Sequence, residues 1–108
     1  MDERTNRVIF ELPAIQELNK TYTVVDLHFH TRYSDGVSTP REVARKARKL
    51  GIGIAVTDHN AVAGALEMKA FKDVLTIPGI EITSREGAHI LVYFYEYREI
   101  GRASCRER

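Results

Sequence analysis

The spacing of apolar and polar positions along the chain changes several times, and each change marks an element. Val8 to Leu12 make a short apolar stretch broken by Pro13, and a polar stretch runs through Asn19 and Lys20, so residues 1–20 read as a lead-in without chemistry of its own. The run TYTVVDLHFHT, from Thr21 to Thr31, is rich in β-branched and aromatic residues, which predicts a strand. Alternation along it sets Asp26, His28 and His30 on a polar face and Val25, Leu27 and Phe29 on a greasy one. After the loop RYSDGVS, Thr39 as N-cap, Pro40 at the first helical position and Glu42 as its capping-box partner open a helix that runs to Leu50. Val43, Ala47 and Leu50 fall on one stripe of that helix, and Gly51 is placed to stop it in the left-handed conformation.

Next come a short apolar strand, IGIAV, ending in Thr57-Asp58-His59-Asn60, a second helix from about Val62 to Phe71, and a strand at Val74 to Ile77. Pro78-Gly79 kinks the chain, after which IEIT, the turn SREG and AHILVYFY predict a strand pair. Strand, helix, strand, helix, strand is the order of parallel strands with crossover helices, so the class is α/β. From about Glu99 the composition turns basic and core-poor, so residues 98–108 are expected to be a tail foreign to the domain, resembling translated adaptor sequence, in which Cys105 has no role.

With 44% hydrophobic and 29% charged residues among 108, the chain suits one globular domain at most. A formal net charge of +1 gives no bulk electrostatic case for nucleic acid or an anionic membrane. The cationic positions Arg41, Arg45, Lys46, Arg48 and Lys49 on the first long helix are better read as a solvated face. A single cysteine excludes an internal disulfide, and neither a signal-peptide pattern nor an apolar spanning run is present, so a cytoplasmic location is expected.

The candidate chemistry lies in imidazoles and carboxylates. His28 and His30, one residue apart on a strand, project to the same side and can reach one metal ion, although the same pair also suits a solvated face. His59 stands where an apolar strand stops, the place where α/β folds collect ligands, with a core histidine as the alternative. Glu81, between Ile80 and Ile82, would be costly to bury without a cation, whether a metal, Arg85 or a lysine. His89 lies across the turn from Glu81, or merely starts a strand; Asp35 in YSDG is equally explained by an Asp-Gly turn.

Taken together, DLHFHTRYSDG, TDHN, and PGIEIT with GAHILVYF resemble, in order and approximate spacing, the first three motifs of the PHP (polymerase and histidinol phosphatase) family, over about Thr21 to Tyr95. The resemblance implies a distorted seven-stranded, TIM-like β/α barrel, of which this chain carries the first half. It also implies two or three divalent ions (Zn, Mn or Fe) at the C-terminal ends of the strands. The motif positions are His28, His30, Asp35, His59, Glu81 and His89, with Glu81 bridging two ions. Asp26 and Asp58, beside ligands, are expected to orient imidazoles, and Arg85 either touches substrate phosphate or is a solvated turn residue.

Family members complete the centre with later ligands, including an Asp-x-His pair, and no histidine or aspartate follows His89. The chain is therefore expected to be a truncated, inactive and poorly stable piece of its parent, with a strand edge and an apolar face uncovered. For the parent, the resemblance implies hydrolysis of a phosphoester by metal-activated water, on a small phosphorylated metabolite or nucleotide; nucleic acid enters only as a substrate. The alternative is the PHP module of a DNA polymerase, as proofreading nuclease or scaffold. TDHN and PGIEIT do not resemble the later motifs of amidohydrolases, which also begin with HxH.

Overall fold

In the computed structural model, residues 14–100 are described. They form a mixed α/β arrangement: helix α1 (Ile15–Leu18), strand β1 (Val25–Phe29), helix α2 (Pro40–Leu50), strand β2 (Gly53–Val56), helix α3 (Ala63–Met68), strand β3 (Gly79–Thr83) and strand β4 (His89–Tyr93). The elements expected at Val8–Leu12 and beyond residue 100 lie outside the described residues.

Helix α2 follows its sequence signals closely. The Glu42 amide donates to Thr39 Oγ1 at 3.2 Å, Pro40 occupies the first turn, and Gly51 closes the helix at φ 69°. Val43, Ala44 and Ala47 are buried, but Leu50 is 39% exposed, so the inward stripe turns toward Ala44 and leaves the last residue of the helix in solvent. Helix α3 is shorter than the pattern over Val62 to Phe71 predicts. Val62 offers no side-chain cap, and the amides of Lys69, Ala70 and Phe71 bond three residues back, so the helix relaxes into tight turns. Helix α1 falls in a stretch that reads as polar lead-in.

Strands β1 and β2 pair in parallel, Val25 opposite Gly53 and Phe29 opposite Val56, as a crossover through α2 requires. The expected strand at Val74 to Ile77 is reduced to an extended segment on the other side of β2. There the Ile54 amide donates to Leu75 O at 2.9 Å, and the Ile77 amide donates to Ile54 O at 3.0 Å. The chain then enters β3, which pairs antiparallel with β4, Glu81 opposite Leu91 and Thr83 opposite His89. A parallel bridge between His59 and Glu81 links the end of β2 to β3, with the Glu81 amide donating to Asp58 O at 3.1 Å. The C-terminal ends of β1 and β2 and the β3–β4 hairpin therefore meet at one place.

The core lies between the two longer helices and β2, built from Val43, Ala44, Ala47, Ile54, Val56, Ala65, Met68 and Val74, with Phe29 and Phe71 packed against it. Ile100 is fully buried in the same cluster, so the chain still packs on the domain two residues past the start of the expected tail. Among the described residues, β1 pairs only with β2 and β4 only with β3. Leu27 on β1 is 47% and Ile90 on β4 58% exposed, so both strands present apolar side chains to solvent. No helix among the described residues is long and apolar enough to cross a membrane.

Candidate metal centre

Strand β1 ends by delivering His28, and His30 follows on the same side. The chain then turns sharply: the Gly36 amide donates to Thr31 O at 2.9 Å, and a Cβ at residue 36 would stand 2.0 Å from His30 O. Only glycine fits that approach. The turn folds Asp35 back so that its Oδ1 lies 2.6 Å from His30 Nδ1 and its Oδ2 3.1 Å from His59 Nε2.

Glu81 sits at the middle of the cluster, 5% exposed. Its Oε1 lies 2.7 Å from His30 Nε2, 3.0 Å from His28 Nε2 and 3.7 Å from His59 Nε2, and its Oε2 lies 3.3 Å from His89 Nδ1. His89 reaches it diagonally across the hairpin, because Glu81 faces Leu91 and the residue two positions before Leu91 shares that face. Thr83 Oγ1 stands between His59 Nδ1, at 2.7 Å, and His89 Nδ1, at 3.1 Å. All six motif positions are thus brought together, in three overlapping triads of His28, His30 and Glu81, of His30, Asp35 and His59, and of His59, Glu81 and His89.

The donor chemistry fits divalent ions. Nε2 of His28, Nε2 of His30 and Oε1 of Glu81 form a triangle with edges of 3.1, 2.7 and 3.0 Å. Ligand atoms about 2.0–2.1 Å from a tetrahedral Zn would stand roughly 3.3 Å apart, close to those edges. Imidazole with carboxylate suits Zn, Mn or Fe. Burial raises the Glu81 pKa, but hydrogen bonds to His28 and His30 and the charges of His59 and His28 together hold it below the usual carboxylate range. Asp35 behaves alike: burial works upward, and the hydrogen bond and charge of His30 with the charge of His59 outweigh it. Both carboxyls are therefore kept in the ionised, cation-binding form.

Asp58 and Asp26 do other work than the sequence reading gave them. Asp58 is fully buried, and none of its hydrogen bonds reaches an imidazole. Its Oδ1 accepts from the Thr31 amide at 2.6 Å and the Ser34 hydroxyl at 2.7 Å, and its Oδ2 accepts from the Thr31 hydroxyl at 2.7 Å. It pins the loop between His30 and Asp35. Asp26 Oδ1 accepts from the His28 amide at 3.0 Å, fixing the backbone before the first histidine and leaving the ring alone. Arg85 is exposed in the hairpin turn, and among the described residues no ion pair or side-chain hydrogen bond ties it to the cluster.

Three contributors escaped the sequence reading. Thr31, fully buried, links Asp58 to the Tyr33 amide through Oγ1. Gly64 makes room for Asp58, since a Cβ there would stand 2.3 Å from Asp58 Oδ2; a glycine inside a predicted helix was the available signal. Tyr93 donates its hydroxyl to Leu27 O at 2.5 Å, and burial first, then the charges of Asp26 and Glu81, raise its pKa and keep it protonated.

Relatives share these motifs. The chain is 35% identical over 83 residues to an error-prone DNA polymerase of Mycobacterium bovis, covering 71% of this chain and 8% of the polymerase. It is 41% identical over 69 residues to a 3',5'-nucleoside bisphosphate phosphatase of Chromobacterium violaceum, covering 60% of this chain and 24% of the phosphatase. It is 38% identical over 73 residues to a 5'-3' exoribonuclease of Haemophilus influenzae, covering 61% of this chain and 27% of that enzyme. In each case the chain spans well under half of the relative's length. The PHP domain family itself matches residues 26–101, the stretch that supplies every residue of the cluster, and the chain belongs to that family.

Proposed function

We propose that the protein carrying this domain hydrolyses a phosphoester in a divalent-metal-dependent reaction. The observation that carries the reading is Glu81: a nearly buried carboxylate with four imidazoles within 2.7–3.7 Å of its two oxygens. Burying a carboxylate such as Glu81 is costly unless cations lie beside it. His28, His30 and Glu81 would hold one ion, and Asp35 with His59, and His89 with Glu81, would hold the others. When bound, the ions would lower the pKa of a water molecule and neutralise the charge on the phosphate oxygens. The chain's own part is to fix the ligands: Asp58 holds the loop bearing Asp35, Thr83 spaces His59 from His89, and Tyr93 ties β4 to the open side of β1.

In this reading the described elements are the first part of a distorted seven-stranded barrel. Support comes from the parallel β1–β2 pair with its crossover helix and from strand edges and apolar side chains that further strands would cover. The substrate is a small phosphorylated metabolite or nucleotide, with nucleic acid only as substrate, and the likeness to the phosphatase and the exoribonuclease favours it. The likeness to the polymerase favours a second reading, a PHP module within a DNA polymerase, which the length of the parent gene separates from the first. The test is hydrolysis of a nucleoside monophosphate or bisphosphate by the parent protein, with and without chelator. His28→Ala and Glu81→Ala should abolish turnover, and chelator-resistant hydrolysis at the wild-type rate would contradict the proposal.

A further inference from the structure

We infer that Lys46 is a substrate-binding residue, holding a phosphate oxygen in the cavity that opens beside His28 and His30. This rests on the phosphoesterase reading and deepens it. A cavity of about 390 Å³ is lined by His28 and His30 of the cluster, by Gly36 and Ser38 of the following loop, and by Lys46 of α2. That size suits a small phosphorylated ligand. Lys46 is the single cation among the lining residues, which include no carboxylate.

The cationic positions of α2 are not equivalent. Arg48 is turned away and bonded to Asp73, with Nη2 3.0 Å from Oδ1. Lys46, Lys49 and Arg45 are all exposed, but Lys49 and Arg45 do not line this cavity, and Arg41 lines a different one together with Glu67. Lys46 alone stands at the wall shared with the histidines. An ammonium on a flexible stem is a suitable point charge for a phosphate oxygen, and charge-assisted bonds of this kind are the strong ones. The loop between them is rigid where it matters. Gly36 is locked against His30 O, Ser38 is 6% exposed, and the Arg32 amide donates to Ser38 O at 2.9 Å, so the distance from α2 to the cluster is held by the backbone. Lys46 would thereby select substrates whose anionic group extends from the cluster toward α2.

The test is titration of the metal-loaded chain with inorganic phosphate, followed by calorimetry, with bound metal measured in the same samples. Lys46→Ala should weaken phosphate binding by about tenfold to a hundredfold and leave metal content unchanged. Lys46→Arg should restore most of the affinity. Lys49→Ala removes the same charge from the same helix outside the cavity and should bind phosphate like the wild type, which separates a placed ammonium from bulk charge. Wild-type affinity in Lys46→Ala, or equal losses in Lys46→Ala and Lys49→Ala, would overturn the assignment while leaving the phosphoesterase reading intact. A metal-loaded wild type that binds no phosphate would also overturn the assignment, whereas the phosphoesterase reading stands or falls on hydrolysis by the parent protein.

Discussion

Replacing Thr31 by valine tests whether Asp58 is a loop anchor. Valine keeps the shape of threonine and removes one oxygen, which donates to Asp58 Oδ2 at 2.7 Å and accepts from the Tyr33 amide at 3.2 Å. Thr31 and Asp58 are both fully buried, so water cannot replace the lost donor. A hydrogen bond to a charged group contributes about 1.5–3 kcal/mol. The Tyr33 amide belongs to an exposed residue and can turn to solvent, adding little. The expected loss is about 2–3 kcal/mol, a large part of the roughly 5–15 kcal/mol that holds a domain together. With a urea slope of about 1–3 kcal/mol per molar, the unfolding midpoint should fall by about 1 M or more at unchanged slope. Thr31→Ser keeps the oxygen and should lose less than half as much. A loss below about 0.5 kcal/mol for the valine variant, or a serine variant as damaged as it, would refute the anchoring role.

Gly64→Ala should destabilise the chain in thermal melts although alanine gains about 1 kcal/mol of helix propensity, because its Cβ would lie 2.3 Å from Asp58 Oδ2 and 2.8 Å from Thr31 Oγ1; a raised melting temperature would count against the packing described. The Asp73 carboxyl is held below its usual pKa chiefly by the hydrogen bond from Arg48, with burial opposing. A depressed folded pKa stabilises above the ordinary carboxylate range and is lost as pH falls through the folded value. Asp73→Asn should therefore be less stable than wild type at neutral pH and indistinguishable from it in strong acid, as read by denaturation across pH; a gap that widens in acid would contradict this.

Much of this was legible in the residues because the signals were local. The α2 start at Thr39, Pro40 and Glu42 and its stop at Gly51 lie within one turn of the helix ends they control. In the cluster, His28, His30, His59 and Glu81 stood out by their places on or at the ends of apolar strands, whereas Asp35 and His89 had ready structural explanations and joined the set only through the resemblance to the PHP family. Illegible features depended on partners distant in sequence. Asp58 turns to Thr31 and not to an imidazole because Gly64 opens the space, and no spacing rule links those three residues. Leu27 and Leu50 carry core-type patterns yet stay exposed, since burial requires a covering element, which alternation along one strand or helix cannot supply.

The central claim is that the cluster around Glu81 binds divalent metal, and metal content after exhaustive dialysis tests it most directly. The folded wild-type chain loaded with Zn or Mn should retain divalent ions, and Glu81→Gln, which keeps the shape but removes the charge shared by two triads, should retain markedly less. A folded wild type that keeps no more metal than an equal mass of a protein without such a cluster, or a Glu81→Gln variant that keeps as much as the wild type, would contradict the account.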